Sequence, residues 1–569
     1  MSLEKRDMET LSRIHTRMNF LGAWIRQHTE LVTLTILIVV GWLLRIYLAV
    51  NTGGMVHPDE IYQSLEIAHD LKFGYGYIPW EFHIPTTPEE EGAARSYLFP
   101  LLYYYIFELC EALGIPHQND GTLRVVRIFS ATYCTTLIPI VYYFSKELLP
   151  PQRSPYTFSL FAAFLTTFWF QFPFFGIRTL TNSFVTPIIF GALLLHLRTT
   201  KRKNDYSPLK LIVSEFFAGA LLGLACALRM DSVVFFAPFF LLRHQNNWKM
   251  LLQYLCIAIG FIGMFFIQGL NDLYFYGTFL VSPINWFQYN IIKGKSSKFG
   301  VQPFFYYFGR ILVKPFYLVN FSILVGMLIY RIQVTLHKCE GIIRDEWFFA
   351  ILELLVWILI SLVVMSLVEH KEERFIFSIF PVIIILFASA MKEYYSIIRY
   401  SYRYVYGYIL PKFNISRMPN QRELTFLQLG LLLIASLFAV SSSAASANKV
   451  DWAFFHDVNK ALEWVGDQEN STGVIVFSQW FYTGGWTYLH KNISMNFKND
   501  PGSSFRWRSD WQYDFLTKQR RYGFNYLISP HYQYWRAKIN YNVSLVQELN
   551  LTFSLVETID KRVDIWFRR

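Results

Sequence analysis

Residues 31–50 read LVTLTILIVVGWLLRIYLAV, and residues 55–70, MVHPDEIYQSLEIAHD, follow almost at once. The first stretch is twenty residues long with a single charge, Arg45. That is the length an α-helix needs to cross the ~30 Å hydrocarbon core of a bilayer. The second stretch places two adjacent carboxylates, Asp59 and Glu60, a few residues outside that core. The rest of the chain agrees with a membrane setting. Of its 569 residues 53% are hydrophobic and 16% charged, and its mean hydropathy is +0.27. A soluble protein carries about 25% charged residues.

Apolar runs recur near 31–50, 125–147, 155–176, 183–198, 211–229, 231–242, 251–271, 305–330, 347–367, 374–391 and 425–446. They predict an α-helical polytopic membrane protein with about eleven crossings. The run 98–115 carries Glu108 and Glu111, so it is expected to lie on or dip into the exoplasmic face instead of crossing. Lys5, Arg6, Arg13, Arg17 and Arg26 precede the first crossing, and basic loops fall near 198–210 and 392–424. By the positive-inside rule these lie in the cytoplasm. The net charge of +11 then reflects topology and anionic headgroups, and no basic patch reads as a nucleic-acid interface.

This divides the chain into a cytoplasmic segment (1–30), a transmembrane module (31–446) with a large first exoplasmic loop (51–124), and an exoplasmic carboxyl-terminal domain (447–569). The tail holds eight of the sixteen tryptophans. WAFFHDVNKALEWVGD predicts a helix, and VIVFSQ, FNYLIS and FSLVETI predict strands, so a small α/β domain is expected. Its sequons at Asn470, Asn492, Asn542 and Asn550 suit a lumenal or extracellular location. Those at Asn320 and Asn414 fall in a span and a basic loop and should stay unmodified. The cysteines, Cys110, Cys134, Cys226, Cys256 and Cys339, have no metal spacing and read as small packing residues.

With this topology the polar segments collect on one side of the membrane. They are HPDEIYQSLEIAHDLKFGYGYIPWEF (57–82), ARSYLFP (94–100), RTLTNS (178–183), DLYFYG (272–277), INWFQYN (284–290), SSKFGVQPFFYY (296–307) and HKEERFIFSIFP (370–381). Together they resemble the dolichyl-phosphate-mannose-dependent α-mannosyltransferases of glycosyltransferase family 22, over roughly 31–391 and in the family's order. FGYGYxxWE followed by RSY looks most like the branch that adds the third GPI mannose. The departures are Pro79 before Trp80-Glu81, and Pro303-Phe304-Phe305-Tyr306-Tyr307 where that branch has a His-Trp-rich stretch. The tail is more like those of prokaryotic and archaeal lipid-dependent sugar transferases.

The resemblance implies a GT-C architecture, a polyprenyl-phosphate sugar as donor, a lipid-linked glycan as acceptor, and an α-mannoside formed with inversion. It implies an endoplasmic-reticulum protein with a lumenal site, or a plasma-membrane protein with an exterior site for an archaeal glycan. N-glycan precursors are the alternative acceptors. No cofactor is implied beyond the donor, and a divalent metal is left open. Asp59 is the candidate general base, since a sugar hydroxyl needs a carboxylate to take its proton. Glu60 could orient Asp59, raise its pKa by like-charge repulsion, or bind acceptor hydroxyls. His370, Lys371 and Arg374, assisted by Arg229, are the candidate donor-phosphate ligands. His57, Gln63, Glu66, Trp80, Glu81, Arg95, Arg178, Asn182 and Asn290 are candidates for positioning substrate.

Each motif alone has a plainer reading. The acid pair could be a solvated loop, 370–374 an interfacial snorkelling cluster, Arg178 and Asn182 helix caps, and Asp231 only a partner for Arg229. The glutamates at 89–91 read as a solvated, mobile insert, and the tail tryptophans as core. Their joint occurrence on one face overturns the plain reading for the two main motifs. A transporter would instead show mid-membrane ionisable residues and inverted repeats, and a scaffold with a lectin-like tail would not need Asp59.

Overall fold

A computed structural model of the protein describes residues 29–51, 57–85, 87, 90–117, 121–149, 156–243, 248–312, 346–389, 450–476, 483–497, 524–530, 553–559 and 563–568. In chain order, α1 (Thr29–Asn51) precedes a π-helical turn (Ile61–Leu65) that runs without a break into α2 (Glu66–Phe73). Next come α3 (Leu98–Ala112), α4 (Gly121–Thr135), α5 (Leu137–Leu148), α6 (Tyr156–Phe168), α7 (Gln171–Gly176) and α8 (Thr181–Lys201). They are followed by α9 (Pro208–Leu228), α10 (Val233–Leu242), α11 (Trp248–Tyr276), α12 (Val281–Phe287), α13 (Tyr306–Leu312), α14 (Glu346–Ser366) and α15 (Phe380–Ser389). The tail contributes α16 (Val450–Gly466), β1 (Gly473–Val476), α17 (Gly485–Leu489), β2 (Ser494–Phe497), β3 (Tyr526–Pro530), β4 (Phe553–Ile559) and β5 (Val563–Arg568).

Among the described residues six stretches are long and apolar enough to cross a bilayer: α1, α4 with α5, α8, α9, α11 and α14. The protein is a multi-pass helical membrane protein. The stretch expected as one span over 125–147 is two helices that meet at Thr136, because Pro139 in the first turn of α5 has no N–H to continue the ladder. The 155–176 run is likewise divided into α6 and α7, and the 374–391 run opens as a 3₁₀ turn (Glu373–Ile379) before α15. The rest of 305–330 beyond α13, all of 425–446 and the basic loop 392–424 lie outside the described residues.

Apolar side chains from α5, α6, α8, α10, α14 and α15, with Trp357, Phe144, Phe190 and Phe239 at the centre, fill the transmembrane core. Helices α9 and α11 pack backbone to backbone. A Cβ on Gly219 would lie 1.9 Å from the Ile257 carbonyl oxygen, and one on Gly260 2.0 Å from that of Phe216. Small residues supply such close approach where lipid offers no hydrophobic drive between helices.

Among the described residues the tail has a helix and three strands at the positions expected of them, and two strands more. The sheet order is β2-β1-β3-β5-β4, parallel in its first three strands and antiparallel in its last three. Its core is shared with the first loop. Val458, Leu462, Val474 and Ile565 pack in one cluster with Ile61 and Leu65 and with Phe99, Tyr103 and Phe107 of α3. At 15 residues, or roughly 22 Å, α3 is short of a crossing. Asn470 and Asn492 are exposed, whereas Asn320, Asn414, Asn542 and Asn550 are outside the described residues. Cys110, Cys134, Cys226 and Cys256 are buried and unbridged.

Glu66 fastens the tail to α2. Its carboxylate is fully buried and accepts hydrogen bonds from the N–H groups of Tyr77 (3.0 Å), Trp486 (3.0 Å) and Thr487 (3.0 Å) and from the Thr487 hydroxyl (2.6 Å). Burial pushes its pKa up, and these four donors oppose the rise. Gly485 is what lets the chain pass so close: its φ is +59°, and a Cβ there would meet the carboxylate at 2.7 Å. Glu66 is therefore a structural clasp and not a group that touches substrate. Glu66→Ala would strand several buried donors at about 1–3 kcal/mol each. It should destabilise the protein by about 3 kcal/mol and open the tail to limited proteolysis. An unchanged melting temperature and cleavage pattern would refute the clasp.

Candidate active site

The π-turn determines how the acid pair is presented. The Glu66 N–H reaches back to the carbonyl of Ile61, a span of five residues, and π-turns of this kind are frequent at functional sites. Just before it, the N–H groups of Ile61 and Tyr62 both bond the Pro58 carbonyl at 3.0 Å. Asp59 and Glu60 leave this turn in different directions.

Glu60 is buried. Its carboxylate lies 3.6 Å from the Arg178 guanidinium and accepts from the His57 N–H at 3.1 Å. Its carbonyl accepts the hydroxyls of Ser64 and Thr179, each at 2.6 Å. Its part is to fix the loop, with Arg178 as its buried counter-ion.

Asp59 is only partly buried and meets the 370–374 segment. Its carboxylate lies 2.8 Å from Arg374 Nη1 and 3.3 Å from His57 Nδ1. Arg374 Nε donates to Glu372 at 2.6 Å, and His57 Nε2 is 3.3 Å from the same carboxylate. Two segments 317 residues apart thus close one charge network. Asn182 secures it by donating to the Arg374 carbonyl at 3.0 Å. Burial alone would raise the Asp59 pKa, but Arg374 and His57 outweigh it and hold the carboxyl well below the usual range. Of the three parts considered for Glu60, a raised Asp59 pKa is not what the structure has. Glu372 is held low in the same way, burial again being outweighed by Arg374.

Two further arginines converge here, each with its own carboxylate. Arg95 donates to Glu81 at 2.9 Å, and Gln63 also bonds Glu81, at 3.2 Å. Arg229 pairs with Asp231 at 2.7 Å and reaches Thr181 at 3.4 Å. Arg95 feels the charges of Asp59 and Arg374, and Arg229 those of Arg95 and Arg374. The cluster around Asp59 is charge-dense but balanced, with Arg374, Arg95, Arg229 and a protonated His57 set against Asp59, Glu372, Glu81 and Asp231. A phosphate would find planar guanidinium forks there.

Other candidates sit less directly. Lys371 is turned to the backbone, donating to the carbonyls of Gln302 (3.0 Å) and Glu369 (3.4 Å). His370 bridges the Gly300 carbonyl (3.1 Å) and Glu372 (2.9 Å). Trp80 packs against Tyr289 at a tilt of 34° with centroids 4.4 Å apart, and Asn290 donates to the Trp286 carbonyl in its own turn. Glu91 is no free insert: it pairs with Lys295 and Lys298, tying the first loop to the 3₁₀ turn Lys295–Phe299. Sequence reasoning assigned nothing to Glu372, although it lies inside the HKEERF motif.

His57 makes the network sensitive to alkali. Burial lowers its pKa, but Asp59 leads the contacts that raise it to about 9, with Glu372 adding and Arg374 opposing. A raised pKa means its stabilising charge is complete below about pH 6.5 and lost as pH rises through about 9. The melting temperature should fall across that window, and His57→Gln should remove that part of the fall. An identical profile in the variant would show that His57 is not the titrating group.

The helices define a polytopic membrane protein, and its two-segment, charge-lined group sits on a fold of the GT-C type. The chain belongs to the Alg9-like mannosyltransferase family, whose sequence profile matches residues 35–490. Among similar proteins, GPI mannosyltransferase 3 of Yarrowia lipolytica is 28% identical over 381 residues, covering 64% of this chain and 65% of the relative. That of Drosophila melanogaster is 27% identical over 353 residues, 59% and 53%. Human GPI alpha-1,2-mannosyltransferase 3 is 25% identical over 328 residues, 57% and 51%. The chain spans between half and two thirds of the length of these relatives.

Two solved structures share the fold. ArnT from Cupriavidus metallidurans bound to undecaprenyl phosphate superposes with a TM-score of 0.52 at 12% identity, covering 94% of this chain and 97% of that one. Archaeal oligosaccharyltransferase AglB from Archaeoglobus fulgidus, in complex with an inhibitory peptide and a dolichol-phosphate, gives 0.52 at 14% identity, covering 92% and 72%.

Proposed function

We propose that the protein transfers mannose from dolichyl phosphate mannose to a hydroxyl of a lipid-linked glycan, as in GPI-anchor assembly, at the lumenal face of the endoplasmic reticulum membrane. The observation that carries this reading is the contact between Asp59 and Arg374, a base candidate touching a phosphate-ligand candidate across one cleft. The names of the relatives support the mannosyl donor and the GPI acceptor. The FGYGYIPWEF and ARSYLFP motifs favour the third mannose.

In this mechanism the donor phosphate takes the fork of Arg374, with Arg229 and Arg95 nearby. That displaces Asp59 from its ion pair, so its proton affinity rises towards the ordinary carboxylate range. Asp59 then removes the acceptor hydroxyl proton as the oxygen bonds the anomeric carbon from the opposite side. The bond to the phosphate oxygen breaks, and the lipid phosphate leaves with a second negative charge held by the guanidinium groups. Glu372 keeps Arg374 aimed throughout.

The test is transfer of labelled mannose by the purified protein to a GPI precursor that already bears two mannoses. Dolichyl phosphate mannose should serve and GDP-mannose should not. Transfer only to an N-glycan precursor would move the acceptor, and no transfer to any lipid-linked glycan would overturn the reading.

The same reading keeps eleven crossings, with the tail lumenal. Asn470, Asn492, Asn542 and Asn550 should then lie across the membrane from Lys201–Lys203. Cysteine labelling in sealed microsomes that placed the tail and Lys203 on one side would sink this topology.

A further inference from the structure

Three histidines far apart in sequence meet where α2, the turn after α3 and the tail adjoin. They are His69, His117 and His490, and each offers a ring nitrogen within 4.8 Å of the other two. Chain spacing gave no hint of this, since the gaps are far longer than any metal-binding motif.

The details suit coordination. His69 is fully buried, and its Nδ1 lies 3.0 Å from the Tyr75 carbonyl oxygen. A carbonyl can only accept, so the Nδ1 proton is fixed there and the Nε2 lone pair points inward. Metal-bound histidines usually have this backing. His69 Nε2 is 3.2 Å from His490 Nδ1. Two nitrogens held at about 2.0–2.1 Å by one tetrahedral ion lie roughly 3.4 Å apart, so this pair is already near ligand spacing.

His117 Nε2 is buried with no hydrogen-bond partner in the structure. A buried unpartnered nitrogen is costly unless something supplies what it lacks. Phe73 and Phe107 wall the group, with Phe73 centroids 4.7, 5.1 and 4.8 Å from the rings of His69, His117 and His490. Burial lowers the pKa of each, to about 3 for His69 and His117 and about 4 for His490, so all three imidazoles are neutral. His490 is also held in the left-handed backbone region, at φ +43°. There it caps α17, a helix-end position that histidine takes more readily than most residues.

We infer that His69, His117 and His490 form a binding site for one divalent transition-metal ion of the zinc class, which staples the first exoplasmic loop to the carboxyl-terminal domain. Each neutral imidazole gives one nitrogen lone pair, no proton is released, and a water completes the tetrahedron. The rings of His117 and His490, with centroids now 3.9 Å apart, open as the ion enters. A site of nitrogen donors alone favours zinc over magnesium or calcium, which prefer oxygen. The site is separate from the Asp59 cleft and serves the joint between domains.

The test uses the full chain in detergent, purified without a polyhistidine tag and stripped with a chelator. Zinc chloride should restore about one ion per chain, the count of a mononuclear site, and raise the melting temperature, while magnesium should not. Cobalt(II) should give the visible absorption of a tetrahedral nitrogen site. His490→Asn removes the imidazole yet tolerates the left-handed backbone, and His117→Phe keeps the aromatic packing. Both should melt like the metal-free parent and show no zinc shift or cobalt band. A parent that retains no zinc and gains neither shift nor band overturns the site. So does a zinc shift in His490→Asn equal to the parent's. If a variant fails to fold, the parent's zinc titration and cobalt spectrum decide alone.

Discussion

Asp59→Asn should reduce mannose transfer about 10²- to 10⁴-fold, the usual effect of removing a general base. Asn keeps the shape of the side chain and can still accept from His57, but it cannot take a proton from a sugar hydroxyl. Arg374 retains Glu372, and Asp59 is partly exposed, so the melting temperature should change little. Glu60→Gln should do the reverse, disturbing the buried pair with Arg178 and lowering stability more than turnover. Near-normal transfer by Asp59→Asn beside a folded but inactive Glu60→Gln would pass the base role to Glu60. Activity in both would leave the acid pair without a catalytic part.

Removing the Arg374 fork should have the second largest effect. Loss of one well-placed stabiliser of developing charge costs about 10²–10³ in rate, and Arg374→Ala should fall in that range. Arg374→Lys should recover only part of it, since a point charge cannot make two parallel bonds to phosphate. In both variants the donor KM or the rate at saturating acceptor should suffer, with the acceptor KM nearly unchanged. A rise confined to the acceptor KM would remove Arg374 from the phosphate site. Arg374→Ala also frees Asp59 from its cation, so its proton affinity rises and the acid limb of the pH profile should move to higher pH, whereas Arg374→Lys, which keeps the charge, should move it less.

The features legible in the sequence were those written locally. A charge-sparse run of twenty residues announces α1, a short run of aromatic and β-branched residues announces β4, and an acid pair beside a proline announces a presented motif. What was missed depends on partners hundreds of residues away. Glu66 looks like one more acid in an acidic loop until Trp486 and Thr487 arrive to bury it. Glu91 looks solvated until Lys295 reaches it. His69, His117 and His490 look like three stray histidines. Local pattern also hid the break at Thr136, because apolar composition continues through it while Pro139 removes a backbone donor. The site fell between these cases: both halves were visible as motifs, but which carboxylate faced the cation was not.

The extra residue in the Ile61–Leu65 turn decides that last point as a matter of angular phase. An α-helix turns about 100° per residue, and a π-turn absorbs one residue more than an α-turn over the same axis. Counting back from Glu66, Asp59 stands where residue 60 of an uninterrupted α-helix would stand. Were the turn to tighten into α geometry with nothing deleted, Glu60 would rotate towards Arg374 and Asp59 would swing past it. Excision of one residue from 61–65 would instead restore a plain helix with Asp59 still facing Arg374. The widened turn therefore acts as an indexing notch: it selects one of two neighbouring acids, and a shift of a single residue step selects the other.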